Sequence, residues 1–180
     1  MSGRALVALI VPDFAEPDRL WIEALRARHD PNHKIIPAHV TLIFPAPGFA
    51  TSEAFAHVER AAKTAAPFDI GFSGGAVETE TERGETYVMM MAGEGGAALA
   101  RLRETLVSGP LAKSQDPSRP YRPHLTLGRF ADAGSAATLA RQLADDARSI
   151  PARATALTVA AYDGVSLGDR RRVAFEGRAL

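Results

Sequence analysis

The sequence predicts an α+β fold built as a bilobal, pseudo-two-fold duplication. Helices cover one face of each lobe's sheet, and the two motif faces meet across one groove. Three observations carry this expectation. The stretch His39-Val40-Thr41-Leu42 returns as His124-Leu125-Thr126-Leu127, each with a proline just before it. Each copy sits at the same place in an order of strand, helix, motif strand, helix and strand. The spacings also agree: Phe68 follows His39 by 29 residues (68 − 39), and Arg153 follows His124 by 29 (153 − 124). Tyr87 and Arg172 each follow their histidine by 48 (87 − 39 and 172 − 124). Two copies are too few for a solenoid and imply two related lobes around one axis. The expected unit is a single domain, 1–180, with lobes of about 1–85 and 86–180 between which strands can be exchanged.

The elements follow in order. Ala5 to Val11 reads as a strand ended by Pro12. Glu16 to His29 reads as a helix, with Leu20, Ile22 and Leu25 recurring at helical spacing behind an acidic start at Asp13 to Asp18. Asp30 to Pro37 is a loop carrying His33 and Lys34, solvated residues that stand near the rim of the expected groove. His39 to Phe44 is the first motif strand, stopped by Pro45 and Pro47. Ser52 to Ala65 is a helix capped by Thr51 or Ser52. Phe68 to Val77 is a strand in which Gly71, Gly74 and Gly75 permit a bend, and Glu78 to Glu85 is a charged hairpin region. The pattern then restarts: strand Thr86 to Met91, helix Ala97 to Val107, loop Ser108 to Pro123, motif strand His124 to Phe130, helix Ser135 to Ala147. Strands Arg153 to Tyr162 and Arg171 to Gly177 close the chain around turns at Asp163-Gly164 and Gly168-Asp169.

Composition narrows the chemistry. The 180 residues are 46% apolar and 23% charged, enough for a core without staples. Lys plus Arg equals Asp plus Glu at 21 each, so no global field draws in long nucleic acid, though a local patch suffices for a small substrate end. There is no cysteine, which excludes disulfides and thiolate nucleophiles. No apolar run approaches the roughly 20 residues of a membrane helix. The expectation is a cytoplasmic monomer with no membrane partner.

The motifs supply the functional signal. Side chains at i and i+2 of a strand share a face. His39 therefore stands with Thr41, and His124 with Thr126, opposite buried aliphatic neighbours. By the same parity Phe44 and Arg129 fall on the aliphatic side; Arg129 serves a ligand only if the strand end curls. A pair of imidazoles titrating near about 6.5 can act as one base and one acid, and two hydroxyls can donate to a developing oxyanion. Arg122, Arg129 and Arg119 are candidate phosphate or base contacts, and Tyr121 a candidate stacking platform or core aromatic. Phe44 and Phe130 mark equivalent strand ends, with Phe44 a candidate groove floor. His29 and His57 read as surface residues of helices, and Arg170-Arg171-Arg172 as a charged turn. No metal or cofactor is expected: the motifs place no carboxylate at ligand spacing, and Gly93 to Gly96 lacks the lysine of a phosphate loop.

With His39-Val40-Thr41-Leu42, Pro123-His124-Leu125-Thr126-Leu127 and Arg129 in view, the chain resembles the 2H phosphoesterase superfamily, in its 2′-5′ RNA ligase-like or cyclic phosphodiesterase-like branch. The resemblance spans nearly the whole chain through the repeat. It implies a bilobal fold of two antiparallel-rich sheets lining a central groove, with helices on the outside and both H-x-T motifs facing the groove. It also implies metal-independent hydrolysis of 2′,3′-cyclic phosphate or related 2′-5′ phosphodiester ends of nucleotides or RNA. The alternatives are a non-catalytic module binding AMP-like nucleotides, and ligation of RNA 2′ and 5′ ends.

Overall fold

A computed structural model describes residues 4–80 and 84–178. The tip of the expected charged hairpin, 81–83, lies outside the described residues. The first part of the chain forms β1 (Ala5–Ile10), β2 (Asp13–Phe14), α1 (Glu16–His29), β3 (Val40–Pro47), α2 (Ser52–Thr64) and β4 (Phe68–Glu80). The second forms β5 (Glu85–Ala92), α3 (Gly96–Leu106), β6 (His124–Phe130), α4 (Ala133–Asp146), β7 (Ser149–Ala154), β8 (Ala156–Tyr162) and β9 (Leu167–Ala174).

All strand pairs are antiparallel and make two sheets, ordered β3-β1-β8-β9 and β2-β7-β4-β5-β6. Each motif strand pairs with the strand that opens its own repeat, β3 with β1 and β6 with β5. Each repeat also gives a strand to the other motif's sheet: β4 joins the sheet of β6, while β7, directly after α4, stays with β6 and β8 after it joins the sheet of β3. The helices cross as well. α1 packs on β6 and α3 on β3, while α2 covers β8 and β9 and α4 covers β4, β5 and β6. One apolar core therefore runs between sheets and helices, with Leu6, Ile10, Ile43, Phe72, Leu99 and Leu125 among its fully buried side chains. The opposite faces of the two sheets are left to line the groove.

Three expectations need correction. The predicted strand Arg153 to Tyr162 is two strands in different sheets, broken at Thr155. Ile150, Ala152 and Ala154 point into the core before the break, and Leu157, Val159 and Ala161 after it. The inward set thus switches from even to odd positions, which an unbroken regular strand cannot do. Next, Pro45 and Pro47 do not stop the first motif strand. β3 is an edge strand and runs through both, because an outward-facing edge needs no N–H. Finally, the last strand starts at Leu167. Gly168-Asp169 lies within it, at a bulge that sets Asp169 and Arg170 against Ala160: Asp169 takes φ +48° and the pairing passes from Val159↔Arg171 to Ala161↔Gly168. Arg170-Arg171-Arg172 accordingly lies on a strand; Arg171 pairs with Glu59 at 2.7 Å and lies over the Phe55 ring.

Candidate active site

β3 and β6 are the edge strands that the two sheets bring against each other. A bulge marks the same place in both. On β6, Thr126 pairs with Met89 and Gly128 with Val88, so Leu127 is the extra residue. On β3, Thr41 pairs with Leu9 and Ile43 with Ala8, so Leu42 is the extra residue. Both bulged leucines are fully buried, and so is the residue after each, Ile43 and Gly128. Gly128 is required there, since a Cβ would lie 2.7 Å from the Phe130 ring and 2.9 Å from His29 Cβ.

The bulge reverses the parity that sequence reasoning assumed. Arg129 pairs with Tyr87, and Met91, Met89 and Tyr87 are alternate residues facing His124, Thr126 and Arg129 in turn. Arg129 therefore stands on the same face as His124 and Thr126, without any curl of the strand end. Phe44, 41% exposed, likewise returns to the face of Thr41. Arg129 pairs at 3.6 Å with Glu85, which also accepts the Tyr87 hydroxyl at 2.9 Å. Burial, reinforced by Glu85 and Glu80, pushes the Tyr87 phenol up to about 12, so it stays a donor.

The two imidazoles are held identically. His39 Nδ1 donates to Pro37 O at 2.8 Å, and His124 Nδ1 donates to Arg122 O at 2.7 Å. A carbonyl can only accept, so Nδ1 carries the proton in each ring and Nε2 is left as the free nitrogen. Both rings are half-buried, and desolvation is the main reason each titrates below its ordinary value. The bond to the i−2 carbonyl opposes that shift in both. Arg26 lowers and Asp30 raises His39; Glu78 raises and Arg122 lowers His124. His39 is also lowered by His124 itself, so the two rings are near enough to feel each other's charge. Neither the Thr41 nor the Thr126 hydroxyl has a protein partner among the described residues.

Several supporting residues carried no signal in the motifs. Arg26 is 1% exposed on α1. It donates to Asp30 at 2.8 and 3.1 Å, to Glu23 at 3.1 and 3.2 Å, and to Ile36 O at 2.9 Å. Glu23 in turn accepts from Ala38 N at 2.7 Å. This buried cluster fixes residues 30–38, the segment that delivers His39. Its spacing of i, i+3 and i+7 along one helix face was the available clue. Tyr121 is not a free platform. Its ring packs against the core under the Arg103 guanidinium (4.8 Å), and its hydroxyl donates to Thr41 O at 3.0 Å, tying the approach of one motif strand to the other. Gln115 exchanges two 3.2 Å hydrogen bonds with the Phe44 backbone, covering the edge of β3. Arg122 is exposed at the rim and paired with Glu78 at 3.4 Å. Arg119 lies in the exposed loop before it. His29 lies tilted against the Phe130 ring at 5.3 Å, and His57 donates to Leu106 O at 3.1 Å, so both expected surface histidines hold elements together. Among the described residues no group of three or more His, Cys, Asp or Glu is placed to hold a metal ion, and no helix is long and apolar enough to cross a membrane.

A doubled α+β frame, with strands exchanged between two antiparallel sheets around a groove, defines a 2H phosphoesterase fold. The chain belongs to the 2′-5′ RNA ligase superfamily, whose sequence model matches residues 12–166. No curated protein sequence matches it. Among solved structures it is similar to Usb1 of Kluyveromyces marxianus, at 14% identity over 96% of this chain and 99% of that one, with a TM-score of 0.58. It is also similar to apo LigT of E. coli, at 18% identity over 97% and 99%, TM-score 0.55. LigT complexed with 3′-AMP matches at 19% identity over 96% and 95%, TM-score 0.51. At these identities the likeness speaks for the fold.

Proposed function

We propose that the chain is a metal-independent phosphodiesterase that opens 2′,3′-cyclic phosphate, or related 2′-5′ phosphodiester, ends of nucleotides or RNA. The observation that carries this reading is the mirrored pair of Nδ1–carbonyl bonds, which leaves two Nε2 atoms for one phosphate. Water attacks phosphorus and gives its proton to the neutral imidazole. The opposite imidazole, protonated, gives its proton to the leaving ribose oxygen as the P–O bond breaks, and a nucleoside monophosphate results. Proton exchange with solvent restores the starting pair. Thr41 and Thr126 donate to the non-bridging oxygens, where negative charge grows. Arg129 and Arg122 add positive charge at the second-motif end, and Phe44 offers a ring at the first-motif end for a base. Complexes of fold neighbours with 3′-AMP and with uridine monophosphate support a nucleotide-sized ligand.

The test is turnover of a panel of nucleoside 2′,3′-cyclic phosphates in EDTA. The reading predicts a nucleoside monophosphate product and a rate that EDTA leaves unchanged. Binding without product, or loss of turnover in EDTA, contradicts it.

A further inference from the structure

A cavity of about 440 Å³ adjoins the first motif strand, walled by the end of β1, residues 33–38 and β9. Two of its lining residues adjoin the first motif. Val11 directly follows Ile10, whose pairing partner Val40 directly follows His39. Pro37 is the residue whose carbonyl orients His39.

The charge in this cavity is one-sided. Lys34, Arg170, Arg19 and His33 line it, against one carboxylate, Glu23. Glu23 is already engaged by Arg26 and by Ala38 N. Lys34 has no hydrogen bond or ion pair among the described residues. Arg170 donates from Nε to Leu167 O at 3.2 Å and from Nη2 to Ile35 O at 3.3 Å; two carbonyls hold its guanidinium without neutralising it. Arg19 reaches Glu16 only at 3.8 Å, an exposed pair that leaves its charge largely available. His33 Nδ1 donates to Asp30 O at 2.9 Å. In a chain of zero formal net charge, this is a local concentration of cations beside the segment that carries His39.

We propose that this cavity is a second-phosphate subsite. Lys34 and Arg170 hold a phosphate of the substrate other than the one being cleaved, so the preferred substrate carries two phosphates. The inference rests on the phosphodiesterase reading. The internucleotide phosphate of an oligonucleotide end or a terminal 5′-phosphate on a mononucleotide supplies the same chemistry.

Three substrates separate these sources: a nucleoside 2′,3′-cyclic phosphate, its 5′-phosphorylated form, and a dinucleotide ending in a 2′,3′-cyclic phosphate. Wild type is expected to favour at least one doubly phosphorylated substrate by about ten-fold in kcat/KM, carried by KM. Lys34→Ala and Arg170→Ala should each shrink that ratio, and the double variant should bring it to about one. Lys63→Ala, on the distant α2 surface, should leave it intact. A wild type without preference, or a double variant that keeps it, overturns the subsite. Calorimetry needs no turnover. If adenosine 3′,5′-bisphosphate binds about ten-fold tighter than 3′-AMP and the double variant loses the difference, the subsite stands even where no cyclic phosphate is cleaved. Equal binding of the two overturns it.

Discussion

At the scale of single residues, the decisive feature is what surrounds each imidazole. His39 and His124 both titrate below the ordinary histidine value, chiefly through burial. The proposed mechanism needs one of them protonated and one neutral. The kcat/KM profile reports the free protein, so its bell lies between two lowered values. The optimum of kcat/KM is therefore expected on the acid side of about pH 6.5, with activity falling as pH rises through neutrality. A pH–rate series on one cyclic nucleotide checks this; an optimum above pH 7 contradicts the desolvation argument. Tyr121 shows the same dependence on surroundings. A pre-strand aromatic reads equally as a base platform or as core, and only its bond to Thr41 O shows that it joins the two motifs.

At the scale of elements, the delivery of His39 depends on α1 more than on β3. Arg26 bonds two carboxylates and a carbonyl out of water. Removing one partner of such a cluster leaves the others buried and unpaired, so Arg26→Ala is expected to cost about 3–5 kcal/mol in urea unfolding. It should also lower kcat, since residues 30–38 lose their anchor. A cost under about 1 kcal/mol would show that the cluster does not hold the segment.

Both motif strands, the four helices and the repeat itself were legible, because periodicity and spacing are local properties of the chain. The bulges at Leu42 and Leu127 were not. A one-residue slip leaves no mark on an apolar run such as Val40 to Phe44, yet it moved Arg129 and Phe44 onto the groove face. The break at Thr155 was visible in principle, as a switch of inward positions from even to odd. It was hidden by alanines that fit either face of a sheet. Glu23, Arg26 and Asp30 carry no mark of burial in the sequence, because a buried cation is rare enough that exposure is the default expectation.

At the scale of the whole molecule, the duplication does what neither half does alone. Exchange of β4 and β8 between sheets, and of α1 and α3 between motif strands, locks the two repeats together and brings β3 against β6. The central claim is that the two motifs act together on one phosphorus atom. The most direct measurement is the rate of 2′,3′-cyclic nucleotide opening, in EDTA, by His39→Ala, His124→Ala and the double variant, each checked for an unchanged unfolding midpoint. One shared site predicts that each single variant loses at least about 10²-fold and that the double variant is scarcely worse than either. Two motifs working separately would leave each single variant with about half of the wild-type rate, and that result would contradict the account.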